Sequence, residues 1–159
     1  MNGRYENGAL PEKVRLLYEA VIAMITDGWD INRMKVSDIT AQAGIGKGTA
    51  YEYFSSKEEI IANAILYDVE TRLARVLKIT EGEGDFAGKF AQILTYMEEV
   101  FAKRQSFCLL VRIGTGSYEV SESMRRECEK RQQDLGCHLA DRIVESLMRQ
   151  GVSEGTIGE

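Results

Sequence analysis

A chain of 159 residues, 44% of them hydrophobic, is long enough to bury one domain-sized core without covalent staples. Its three cysteines, Cys108, Cys128 and Cys137, are odd in number and sit at no metal-ligand spacing, which argues against a disulfide framework or a zinc site and suits a reducing cytoplasm. The net charge of −5 disfavours a uniformly basic nucleic-acid binder, no apolar run approaches the roughly 20 residues that cross a bilayer, and Met1 to Leu10 carry no export signal, so a soluble, cytoplasmic protein is expected.

Only one proline occurs, Pro11, and stretches rich in Leu, Ile, Ala, Glu, Lys and Arg predict an all-α fold. Pro11 suits the first position of a helix carrying Val14, Leu17, Tyr18, Val21, Ile22 and Ile25 at three- and four-residue spacing, with Gly28 as its stop. A short helix from about Val36 to Ala43 is broken by Gly44-Ile45-Gly46, and a third runs from about Lys47 to Phe54. Ser56-Lys57-Glu58-Glu59 reads as a capping box opening a long helix to about Ile79.

Glu81 to Gly84 predicts a loop, and Asp85 caps a helix whose stripe is Phe86, Phe90, Ile93, Leu94, Met97, Val100 and Phe101. Phe107 to Ile113 is continuously apolar and ends at Gly114-Thr115-Gly116-Ser117. A long polar helix from about Glu119 to Gln150 closes the pattern, with a thin stripe of Met124, Cys128, Leu135, Leu139, Ile143 and Leu147.

Two short helices joined by a glycine-bearing turn, after a longer amphipathic helix, fit either a helix-turn-helix or a plain three-helix packing unit. Charge is segregated towards this window: Arg33, Lys35, Lys47 and Lys57 face only Asp38 and Glu52, a net of +2 within a chain of −5. The residue pattern goes further. Ile39, Ala43, Gly44, Gly48, Tyr51, Tyr53, Phe54, Lys57 and Glu58 stand in the order and spacing of the TetR family, which the N-terminal part closely resembles.

The resemblance implies a helix-turn-helix DNA-binding domain over 10–55. A long helix would join it to a helical effector-binding and dimerisation domain over 56–159. It implies a double-stranded DNA operator contacted by Lys47, Gly48, Thr49, Tyr51, Tyr53 and Lys57, with Tyr53 equally suited to the core. It also implies a homodimeric repressor relieved by a small-molecule effector. Tyr96, Met97, Phe101, Phe107 and Tyr118 are candidates to line the effector pocket, or else plain core. Alternatives are a DNA-binding factor of the same build without an effector and a helical protein-interaction module.

The chain departs from the family at Met34-Lys35 and Gly46, where hydroxyl caps are usual, so both short helices are expected to start without one, and Lys35 becomes a further phosphate candidate. The spacing from Gly28 to Asp38 implies an enlarged connection before the second helix. The segment after Gly151 is too short for the family's two closing helices, which implies a shortened chain or a dimer built another way.

No enzyme chemistry is expected. Gly46-Lys47-Gly48-Thr49 lacks the earlier glycine and the Lys-Ser/Thr adjacency of a phosphate loop, and Gly114 to Ser117 reads as a turn. Cys137 and His138 are neighbours on a helix, about 100° apart, and cannot face each other. No metal or cofactor is called for.

Overall fold

The computed structural model describes residues 10–102 and 106–158, without the side chains of 132–137, which leaves Leu135 and Cys137 outside the described side chains. Among the described residues all regular structure is helical: α1 (Glu12–Thr26), α2 (Val36–Ala43), α3 (Lys47–Tyr53), α4 (Lys57–Glu81), α5 (Phe86–Ala102), α6 (Ser106–Gly114) and α7 (Glu122–Ser153). No helix among them is long and apolar enough to cross a membrane.

α1 buries the face its spacing predicts, with Val14, Leu17 and Val21 wholly inaccessible. Pro11 stands just before it as the cap, its carbonyl accepting from the Arg15 N–H at 2.9 Å. The enlarged connection to α2 is no slack loop. Two of its three apolar residues, Ile31 and Met34, are buried in the core and fix the connection against it, while Trp29 stays half exposed.

α2 and α3 meet at Gly44, whose φ of 66° is the left-handed conformation that glycine adopts cheaply. The Ile45 N–H closes the turn on the Thr40 carbonyl at 3.0 Å, and the Ile45 side chain packs against the core between the helices. No atom lies within 4 Å of where a Cβ on Gly44 would stand, so Gly44→Ala is penalised by the backbone alone. We expect it to lower stability by roughly 1–2 kcal/mol in urea unfolding, with Gly44→Asn losing less.

Neither short helix is capped by a hydroxyl. At α2 the Asp38 carboxylate takes the Lys35 N–H at 3.0 Å, and Gly46 supplies no side chain to α3. α4 does carry the predicted cap, Ser56 Oγ accepting from the Glu59 N–H at 3.1 Å, while Glu59 reaches back to the Ser55 N–H at 2.7 Å.

α4 is the spine of the molecule. Its first half, Ile60 to Ile65, lies in a core shared with α1, α2 and α3, and Tyr18 sits there between the rings of Phe54 and Tyr67 at 5.9 and 5.4 Å. Ile113, Met124 and Cys128 belong to this same core, so α6 and the start of α7 are packed into the helix-turn-helix end. The second half of α4 contributes Val76 and Leu77 to a smaller core with Tyr96, Val100 and Ile143.

α5 differs from the pattern read in its sequence. Its buried residues are Lys89, Tyr96 and Val100, while Phe90, Leu94 and Phe101 of the apolar stripe are 45%, 52% and 49% exposed. The helix is turned so that Lys89 closes the far end of the bundle. Its Nζ donates to the Thr80 carbonyl at 3.0 Å and to Gln150 Oε1 at 2.7 Å, placing a cation over the carbonyl end of α4.

Candidate nucleic-acid interface and effector cavity

α3 buries only Ala50, which leaves Lys47, Gly48, Tyr51 and Glu52 at the surface and Thr49 half-buried. Beside it lies a cleft of about 520 Å³ formed by the α1–α2 connection, the start of α2, α3 and the first turn of α4. Arg33, Lys35, Lys47 and Lys57 all line it, together with Ser37 and Tyr51, and no carboxylate does. The four cations spread over 25 residues of sequence are thus gathered at one place. Such a surface attracts phosphate oxygens through charge and can anchor them through hydroxyl donors.

The candidate DNA residues fall into two groups. Lys47 and Tyr51 are outward and adjacent, the lysine Nζ 6.0 Å from the ring centroid, and Tyr51 is 50% exposed. Gly48 has no protein atom within 4 Å of a would-be Cβ, so its open side faces out of the molecule. Tyr53 packs against the core. Lys57 is already engaged: its Nζ donates to the carbonyls of Asn32 and Met34 at 3.0 and 3.2 Å, tying α4 to the α1–α2 connection.

A second cavity, of about 530 Å³, opens between α4, α6 and α7. Leu66, Val69 and Leu73 form one wall, Phe107, Leu110 and Ile113 another, and Cys128 lies on the third. Glu70, Thr115, Arg125 and Glu129 are its polar residues. Burial and the flanking Glu127 and Glu129 push the Cys128 thiol up to about 11, so it faces the cavity as a neutral group.

Of the five pocket candidates, Phe107 alone lines this cavity. Phe101 and Tyr118 border a separate cleft with Trp29 and Arg112. Tyr96 is buried under the Arg75 guanidinium, 4.6 Å from its ring centroid, and Met97 is half-buried on α5. The aliphatic residues of α4 that build the wall carry no mark in the sequence that separates a cavity wall from a core.

The cavity and the basic cleft are physically joined. Arg125 Nη1 donates to the Ile113 carbonyl at 3.3 Å near the end of α6. A few residues on, Tyr118 Oη donates to Asp30 Oδ1 at 2.6 Å, and Asn32 Nδ2 donates to the Glu119 carbonyl at 2.9 Å. Asp30 and Asn32 belong to the same connection that Lys57 holds from the other side.

This latch titrates. The Tyr118 hydrogen bond, with the Asn32 N–H, holds the Asp30 carboxyl below its ordinary 3.8, and burial together with the Asp30 bond pushes the Tyr118 phenol from 10.0 up to about 12. A raised phenol stabilises the fold fully below its unfolded value, so this contribution is lost as pH rises from 10 to about 12. The Asp30 contribution is lost at the acid end, as pH falls through its lowered value. In alkaline unfolding, Tyr118→Phe is expected to flatten the stability loss over the upper window.

An exposed short helix after a tight turn, a basic cleft beside it and a helical body behind define the class of helix-turn-helix DNA-binding modules. Residues 30–64, which run from the α1–α2 connection into the first turns of α4, match the family model described as bacterial regulatory proteins, tetR family. The chain is 26% identical over 132 residues to the uncharacterized HTH-type transcriptional regulator YuxN of Bacillus subtilis, an alignment covering 82% of this chain and 44% of that protein. It therefore spans less than half the length of that relative.

The fold is similar to the fatty acid degradation regulator FadR from Bacillus halodurans, with a TM-score of 0.67 at 15% identity over 94% of this chain and 74% of that one. It is also similar to FadR from Bacillus subtilis in complex with stearoyl-CoA, with a TM-score of 0.63 at 19% identity over 91% and 74%. Among the described residues no group of three or more His, Cys, Asp or Glu is placed to hold a metal ion.

Proposed function

We propose that this protein is a DNA-binding transcriptional repressor, without enzymatic activity, that acts in the cytoplasm as a homodimer on a double-stranded operator and is released by a small-molecule effector. The observation that carries the reading is the gathering of Arg33, Lys35, Lys47 and Lys57 with Tyr51 in one carboxylate-free cleft beside α3. Residues 10–55 would form the DNA-binding unit and 56–159 the effector and dimerisation unit. Lys47, Gly48, Thr49 and Tyr51 would meet DNA directly, Lys35 would add a phosphate contact, and Lys57 would set the angle of the connection. Tyr53 would act from beneath.

The cavity between α4, α6 and α7 is the effector site in this reading, its size falling within the roughly 300–1,000 Å³ of small-molecule pockets. The aliphatic wall suits a long apolar body, as in the stearoyl-CoA bound by the Bacillus subtilis neighbour. An effector that moves the end of α6 would strain the Tyr118–Asp30 and Asn32–Glu119 bonds and so shift the α1–α2 connection. Release requires the effector to favour the DNA-incompetent state, with a coupling of about 1–3 kcal/mol.

Titration of operator-containing and random duplexes with the protein, over a series of salt concentrations, tests the reading. Affinity should fall steeply and linearly on a log–log plot. A flat salt dependence, or no binding by a dimer, would sink it.

A further inference from the structure

From the charges in the α4–α6–α7 cavity we infer that its ligand is an amphipathic amine or ammonium compound, with the positively charged nitrogen seated at Glu70. This rests on the effector-site reading above and specifies the chemistry of that site.

The walls are aliphatic and aromatic, and the charged side chains on them are Glu70 of α4 with Arg125 and Glu129 of α7, while α6 brings none. The one cation, Arg125, is turned towards the end of α6, where it donates to the Ile113 carbonyl at 3.3 Å, and makes no ion pair with Glu70 among the described residues. Glu70 is half-buried and makes no hydrogen bond or ion pair among the described residues.

On its other side Glu70 borders a groove with Arg72, Arg75 and Lys78, and the two arginines there are also occupied. Arg72 is held by both Asp68 oxygens at 2.8 and 2.9 Å, and Arg75 lies over the Tyr96 ring. Burial accordingly raises the Glu70 carboxyl with no cation offsetting it. A half-desolvated carboxylate facing an apolar chamber is a standing cost that a ligand cation relieves, and a charge-assisted N–H bond is the strong form of that contact. Glu129 adds to the same field. An anionic head, carboxylate or phosphate, meets two carboxylates there against the single guanidinium of Arg125, a net negative field.

The test is calorimetric titration of the full chain with dodecylammonium, dodecanoate and lauroyl-CoA below their micelle concentrations. Dodecylammonium should bind more tightly than dodecanoate by about tenfold or more, and Glu70→Gln should remove most of that preference. Glu129→Gln should reduce it less. Melting curves of both variants establish that they fold.

Equal or tighter binding of dodecanoate or lauroyl-CoA, a preference untouched in folded Glu70→Gln, or no binding by any probe overturns the inference. Duplex binding measured on the same samples separates this from the regulator reading. Failure on DNA with the ammonium preference intact sinks the regulator and leaves the site standing.

Discussion

Alanine at both Lys35 and Lys47 is expected to weaken duplex binding roughly a hundredfold near physiological salt, about tenfold for each cation, and to lower the salt slope by about two. Both side chains are exposed and line the basic cleft. Neither makes a side-chain hydrogen bond among the described residues, so the melting temperature should hardly move. Lys57→Ala should behave differently. It removes two bonds that tie α4 to the α1–α2 connection, so its loss of DNA affinity should come with a lower melting temperature. Electrophoretic or anisotropy titrations of the three proteins at matched salt decide the matter. An unchanged slope in the double variant would show that the DNA surface lies elsewhere.

Met124→Ala is expected to cost about 2–5 kcal/mol, the usual range for truncating a buried methionine. Met124 stands at the start of α7 and is only 2% exposed, yet its core is the one built by α1, α2, α3 and the first half of α4. Trp29, the one tryptophan, lies in the α1–α2 connection and is half exposed, so its fluorescence reports on the helix-turn-helix end. The urea midpoints read by Trp29 fluorescence and by far-ultraviolet circular dichroism should shift together. If the fluorescence midpoint stays where it is in wild type, the two ends unfold independently and the shared core is not cooperative.

The helix-turn-helix end was legible in the sequence because its constraints are local. Gly44 is needed where φ is positive, Ser56 and Glu59 cap α4, and the spacing of α1 fixes its buried face. Even the long α1–α2 connection could be anticipated, although not that Ile31 and Met34 would plug it into the core. α5 shows where such reading stops. Its stripe of Phe90, Leu94 and Phe101 is strongly periodic, but periodicity marks a face without naming what lies opposite, and the face turned inward centres on Lys89. A buried lysine held by Thr80 and Gln150 joins positions 61 residues apart, beyond any local pattern. The pocket candidates failed to converge for the same reason. Tyr96, Met97, Phe101 and Tyr118 were grouped by residue type, whereas the cavity is made by Leu66, Val69 and Leu73 meeting α6 and α7.

Holding α3 to the body through Ala50 and the half-buried Tyr53, with Phe54 anchored just beyond them, has an evolutionary consequence. Surface positions that bury nothing can change with little effect on folding, usually within about half a kcal/mol. Lys47, Tyr51 and Glu52 can therefore be exchanged almost freely as far as the rest of the molecule is concerned. For the regulator proposed above, a lineage carrying this scaffold could drift from one target sequence to another through folded, stable intermediates, the proposed effector half unaltered while the address is rewritten.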